Sequence, residues 1–122
     1  MSATDVPIED EATRALCTLM GELDTCTAQL QQARERAELL LHNRRAGHSW
    51  AEIVTGEERP LIVEQLSSVL ATLSTAGADW RREQAAALQA EHVSINRIAA
   101  MFGVTRQRVS ALLKESGTPD PD

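Results

Sequence analysis

The side chains best equipped for chemistry lie toward the C-terminal end of the chain. Between Val93 and Pro119 stand Arg97, Arg106, Arg108 and Lys114, opposed by Glu115 alone. Ser94, Thr105, Gln107 and Ser110 are interleaved with them and both donate and accept hydrogen bonds. A guanidinium can satisfy two guanine acceptors at once, and a Gln amide can do the same on adenine. Cations and hydroxyls also hold phosphates. The rest of the chain is acidic, with 5 basic and 11 acidic groups over residues 1–58, and the formal net charge is −6. A polyanionic partner would need a local basic surface, and the last quarter is where the sequence supplies one.

Other candidate chemistries are weaker. Cys17 and Cys26 are nine residues apart on different faces of an expected helix, with no Cys or His one turn away, so no metal site is expected. Cys26 reads most simply as a small buried hydrophobe. His42, His48 and His92 are scattered near expected helix ends. Trp50 and Trp80 read as core anchors. Glu9-Asp10-Glu11 reads as a helix-start charge pattern. No Gly-rich phosphate loop, nucleophile motif or carboxylate constellation occurs, so neither an enzyme nor a cofactor is expected.

The segment Ser94 to Leu113 has the spacing of two short helices crossing through a tight turn. Gly103 suits a left-handed turn residue, and Ala99 is small enough for the second helix to pass close by. Ile98, Ala99, Phe102, Val104, Val109 and Leu112 fall where these helices share a core with a preceding one. Ser94 and Thr105 stand at the two N-cap positions. The run I-A-x-x-F-G-V-T-R-x-R-V resembles the helix-turn-helix of bacterial transcriptional regulators. It is especially similar to the region that reads the −35 element in sigma-70-type factors. The likeness covers about 35 residues once the helix from Asp79 is included. Residues 1–78 show no region that would bind a core polymerase, so only the DNA-binding role carries over. The resemblance implies that the helix beginning at Thr105 is the recognition helix. Its outward residues Arg106, Gln107 and Ser110 are then expected at base edges in the major groove. Ser94, Arg97, Thr105, Arg108 and Lys114 are expected at phosphates, which position without specifying.

The elements that carry this motif should all be helical. One Phe, two Trp and no Tyr in 122 residues count against an all-β fold, while Ala, Leu, Glu, Gln and Arg are abundant. No apolar run is long enough for a membrane span. The start, Met1-Ser2-Ala3-Thr4-Asp5, lacks the pattern of a secretory signal. A cytoplasmic, nucleoid-associated chain with reduced thiols is expected. The expected fold is all-α, a long N-terminal helix and helical bundle with a C-terminal helix-turn-helix. The long helix should run from about Glu9 to Arg45, stopped by Gly47. A short helix capped by Ser49 and reaching about Val54 follows, with Trp50 and Ile53 inward. Pro60 should sit in the first turn of the next helix, whose face is Leu61, Ile62, Leu66, Val69, Leu70, Leu73 and Ala76. Gly77 should interrupt that helix and Asp79 cap a new one to about Glu91. The final helices are expected over 95–102 and 106–115.

Within the long helix, Ala12, Leu16, Leu19, Leu23, Cys26, Leu30, Ala33, Ala37 and Leu40 recur at alternating spacings of four and three, a heptad seam. It can pair two chains or pack on the 60–76 helix of its own chain. Residues at the flanking positions of a parallel pair, such as Glu22 with Thr27 and Arg36 with Leu41, make no good ion pairs. A simple parallel zipper is therefore poorly supported. A homodimer with a seam partly intermolecular is favoured, through Leu16, Leu19, Leu23, Cys26, Leu30, Ala33, Ala37 and Leu40. Ser49-Trp50-Ala51-Glu52-Ile53-Val54 also aligns with Ser94 to Ala99, as a decayed repeat kept for packing. The domain reading is a disordered arm over 1–8, a dimerisation region over 9–78, a DNA-binding region over 79–116 and a frayed tail over 117–122. The function expected is a dimeric repressor acting on double-stranded DNA. The rivals are a nucleoid or plasmid-partition architectural protein and a protein-interaction module such as an anti-activator.

Overall fold

A computed structural model describes residues 9–115, so the expected arm and tail lie outside the described residues. The described chain is all-helical: α1 (Glu11–Arg45), α2 (Trp50–Gly56), α3 (Ile62–Ala90), α4 (Ile95–Phe102) and α5 (Arg106–Glu115). Asp10 precedes α1 and stabilises its start, accepting the Thr13 N–H at 2.8 Å and the Thr13 hydroxyl at 2.7 Å. Ser49 caps α2 by accepting the Glu52 N–H at 3.1 Å. Pro60 lies in the turn ahead of α3 instead of in its first turn. At the start of α3 the Glu64 carboxylate accepts the Leu61 N–H at 2.7 Å. That bond and the neighbouring Arg59 hold its carboxyl below the ordinary carboxylate range.

Gly77 does not break the chain. The helix α3 runs through it without interruption, and Asp79 caps nothing but pairs with Arg82 one turn on. A single glycine costs a helix interior about 1 kcal/mol. The burial of Ala76 and Ala85 on either side outweighs it.

The helices form two compact units. The first comprises residues 21–74, with Cys26, Ala33, Ile53 and Val69 buried. On one flank Gln65 donates to the Gln29 carbonyl at 3.4 Å and to Gln32 Oε1 at 3.2 Å, while Arg36 donates to the Glu58 carbonyl at 2.7 Å. These contacts run α1 and α3 antiparallel within this unit. Trp50 was expected inward, yet it is 55% exposed, its ring lying 5.2 Å from the Arg44 guanidinium. Only Ile53 of that helix has the phase to reach the core.

The expected seam splits into two rows. Cys26 and Ala33 are buried, and Ala12, Leu19 and Leu40 half-buried, each seven residues from the next. The alternate row stays open: Leu16 is 38% exposed, Leu23 46% and Leu30 43%, with Ala37 exposed as well. A heptad on one helix therefore faces its own chain with one row and solvent with the other.

The second unit holds the described residues up to Met20 and from Thr75 onward. Its core is Ala85, Ile98, Ala99, Val109, Leu112 and Leu113, with Leu88, Val93, Ile95 and Phe102 packed around them. Val104 was expected in this core but is 41% exposed, because the turn carries it outward.

One local arrangement occurs twice, forty-five residues apart. After α1, Gly47 (φ 104°) donates to the Arg44 carbonyl and His48 to that of Asn43. After α3, His92 (φ 66°) donates to the Gln89 carbonyl and Val93 to that of Leu88. Each is the paired bond pattern of a left-handed helix stop. Each is followed by a Ser cap with nearly the same backbone, φ −74° at Ser49 and −68° at Ser94, and then by a buried Ile, Ile53 or Ile98. The likeness ends at the next turn, where Glu57 takes an extended conformation and nothing matches Gly103.

Candidate nucleic-acid interface

The helices α4 and α5 are joined by Gly103, Val104 and Thr105. Gly103 has φ 69° and ψ 34°, the left-handed region, and its N–H donates to the Ala100 and Ala99 carbonyls. Val104 donates to the Ala99 carbonyl at 3.0 Å, completing the stop. Beyond its two chain neighbours no heavy atom lies within 4 Å of the position a Cβ would take, so backbone conformation and not space requires glycine here. The helix α5 restarts at once because Thr105 Oγ1 accepts the Arg108 N–H at 3.1 Å. Ser94 Oγ likewise accepts the Arg97 N–H at 3.2 Å. In both caps the hydroxyl oxygen is used inward as acceptor, leaving its proton to donate to a ligand.

The inner side of α5 is Val109, Leu112 and Leu113, all at 1% exposure or less. That phase leaves Arg106, Gln107 and Arg108 exposed at its N-terminal end and Lys114 exposed near the other. Ser110 is half-buried, so it lies at the edge of the outward face instead of on it. Arg97 and Ser94 are exposed at the start of α4. A groove of about 430 Å³ runs between the two N-terminal ends, lined by Gln89, His92, Ser94, Asn96 and Arg106 among others. Gln89 and Asn96 were not singled out from the sequence. The signal available was Asn96 in the first turn of α4, one residue before Arg97.

Charge separates this surface from the rest of the chain. Among the described residues, every arginine before Val93 except Arg45 is engaged. Arg14, Arg34, Arg36, Arg59 and Arg82 make ion pairs, Arg44 lies by Trp50, and Arg81 stacks 4.1 Å from the Phe102 ring centre. No hydrogen bond or ion pair among the described residues engages the guanidinium of Arg97, Arg106 or Arg108. Glu115, the nearby acid in sequence, is drawn 3.6 Å from Arg82. The helix starts show the same contrast. An acid stands in the first turn of α1, α2 and α3, but none in that of α4 or α5. No acid in their own first turns offsets the partial positive charge of those two N-termini.

Comparison with protein-family models, curated proteins and solved structures gave no match for this chain. Among the described residues no group of His, Cys, Asp or Glu could hold a metal ion, and no helix is long and apolar enough to cross a membrane.

Proposed function

We propose that the chain is a sequence-specific regulator of transcription that binds double-stranded DNA with α4 and α5 as a helix-turn-helix. The observation that carries this reading is the set of unengaged guanidinia, Arg97, Arg106 and Arg108, on helices whose first turns also lack acids. A surface cation already in an ion pair must give up that partner to bind a phosphate, whereas these need not. In this reading α5 enters the major groove, Arg106 and Gln107 bond base edges, and Ser110 makes a contact from the edge of the face. Ser94, Arg97, Thr105, Arg108 and Lys114 hold phosphates and fix the register.

The protein acts as a homodimer in the cytoplasm, occupying an operator to repress, and needs no cofactor or catalysis. Two-fold pairing suits a motif that spans only one half-site by itself. The test is a binding series on fragmented bacterial genomic DNA at several salt concentrations. A regulator selects a few fragments and keeps them, by a wide ratio over bulk DNA, as salt rises. Uniform retention of all fragments would replace it with an architectural DNA-binding protein. Absence of binding at low salt would leave only a protein-interaction module.

A further inference from the structure

The two rows of the α1 seam have different fates, and the open row has a pattern of its own. Leu16, Met20, Leu23, Thr27, Leu30, Arg34, Ala37 and Leu41 form a continuous exposed stripe at alternating spacings of four and three. Its large apolar members are Leu16, Met20, Leu23, Leu30 and Leu41, and four of these five cluster about Leu23. Leu16 and Leu30 stand seven residues to either side of it. In residues 21–74, Leu66 and Leu70 of α3 are exposed next to this stripe, because they flank buried Val69 on the side away from Gln65. One flank of this hairpin is thus polar and internally bonded, and the other is apolar and unpaired.

The repeated arrangement indicates what kind of element covers such a face. Shifting by forty-five residues carries Gln31, Ala37, Glu38 and Leu41 of α1 onto Ala76, Arg82, Glu83 and Ala86 of α3. The α1 residues are all exposed, while their α3 counterparts are buried or half-buried. The first turns of α1 lie against that part of α3, with Glu11, Ala15 and Thr18 sharing a cleft with Ala76, Asp79 and Glu83. Ahead of the second helix stop a helix lies on this face of α3, while among the described residues none lies on the corresponding face of α1.

We infer that a second copy of this chain covers it, the two α1 helices lying antiparallel and crossing at Leu23. In that register Leu23 meets Leu23, Leu16 of each copy meets Leu30 of the other, and Met20 covers Thr27. The pairing is isologous, as a two-fold interface requires. It brings together the four large apolar residues of the central stripe, with Arg34 beyond them and already paired to Glu38 at 3.2 Å. A parallel alignment sets Arg34 against Arg34 and gains no ion pairs at its flanks. This inference rests on the homodimer reading above and fixes which row and which direction make it.

Disulfide trapping tests it on the full chain with Cys17→Ser, since buried Cys26 is out of reach of oxidant. Leu16→Cys and Leu30→Cys proteins, mixed and oxidised, should give a covalent dimer, while each alone should not. Leu23→Cys alone should link to itself. Leu23→Asp should sediment as a monomer and retain full helicity, because Leu23 is 46% exposed and stands outside the buried core of its own chain. Leu30→Cys and Leu16→Cys each linking to themselves would overturn the antiparallel register and leave a parallel dimer standing. A Leu23→Asp protein that still sediments as a dimer would overturn this face as the interface. An unmodified protein that is monomeric at micromolar concentration would overturn both the inference and the dimer reading beneath it.

Discussion

Arg106 and Arg97 are both exposed arginines with no partner among the described residues, yet they stand at ends of different helices. Arg106 opens α5 and lines the groove beside Asn96, where its planar fork can address two acceptors on one guanine. Arg106→Ala should cost about 1–3 kcal/mol on the preferred site and flatten the preference at one base pair. Arg97 lies on the first turn of α4, the helix that crosses the backbone in this reading. Arg97→Ala should weaken all sequences alike and reduce the salt slope by about one. Competition binding against a library of single-base variants, at two salt concentrations, separates the two. If both variants lose affinity uniformly, Arg106 is a phosphate contact and the site reads shape more than sequence.

At the level of the helices, stops and starts decide what the sequence could and could not disclose. Gly103→Val should lower stability by about 1–2 kcal/mol in urea melts, the cost of forcing a side chain into left-handed backbone. Conversely, His92→Gly should raise stability by up to about 1 kcal/mol, since His92 occupies the same region at φ 66° with a Cβ. The acid limb of stability should follow the helix starts. The Glu52 carboxyl is held below the ordinary range by its hydrogen bonds to His48 and Ser49, Asp10 by Thr13, and Glu64 by Leu61 and Arg59. A carboxyl with a depressed folded value stabilises above its unfolded value, and that contribution is lost as pH falls through the folded one. Thermal melts should therefore weaken progressively from about pH 5 downward, and less steeply in Glu64→Gln.

Ser94, Gly103 and Thr105 were legible as cap, stop and cap because each residue type has a local backbone reason to be there. His92 was not legible, since this exposed histidine takes its left-handed conformation in the backbone bonds of the helix stop and its residue type does not announce one. Gly77 misled for the opposite reason, since its local helix cost is overridden by buried neighbours. Trp50 misled because hydrophobicity alone cannot tell a core ring from one lying on a guanidinium. The heptad in α1 was visible, but periodicity says that a row is apolar and not which chain it meets.

For the whole molecule, charge is spread so that acids fill the chain up to about residue 58 while residues 93–115 are basic. DNA affinity should then depend steeply on salt despite a net charge of −6. With Arg97, Arg108 and Lys114 at phosphates in each copy, log K against log salt should slope about −5 for a bound pair. Leu23→Asp, by releasing single copies, should roughly halve that slope and lower affinity for a palindromic site far more than for a half-site. Analytical ultracentrifugation beside anisotropy titrations measures both. An unchanged slope in a proven monomer would mean that the pair never engages DNA with both motifs.

The open space around Gly103 has a consequence for handedness. Its φ of 69° and ψ of 34° are unfavourable for an L-residue but are the ordinary helical region for the mirror-image amino acid. Beyond its two chain neighbours nothing within 4 Å would meet an L-configured Cβ, so an L-residue is opposed here by backbone conformation alone. The achirality of glycine, and not its small size, is what this turn uses. A chain assembled by chemical ligation with D-alanine at position 103 should fold to the same turn and gain about 0.4–1 kcal/mol by restricting the unfolded state. The L-alanine version should lose stability instead. Two proteins of identical composition would then lie on opposite sides of the parent in a urea melt, separated only by the configuration of one carbon.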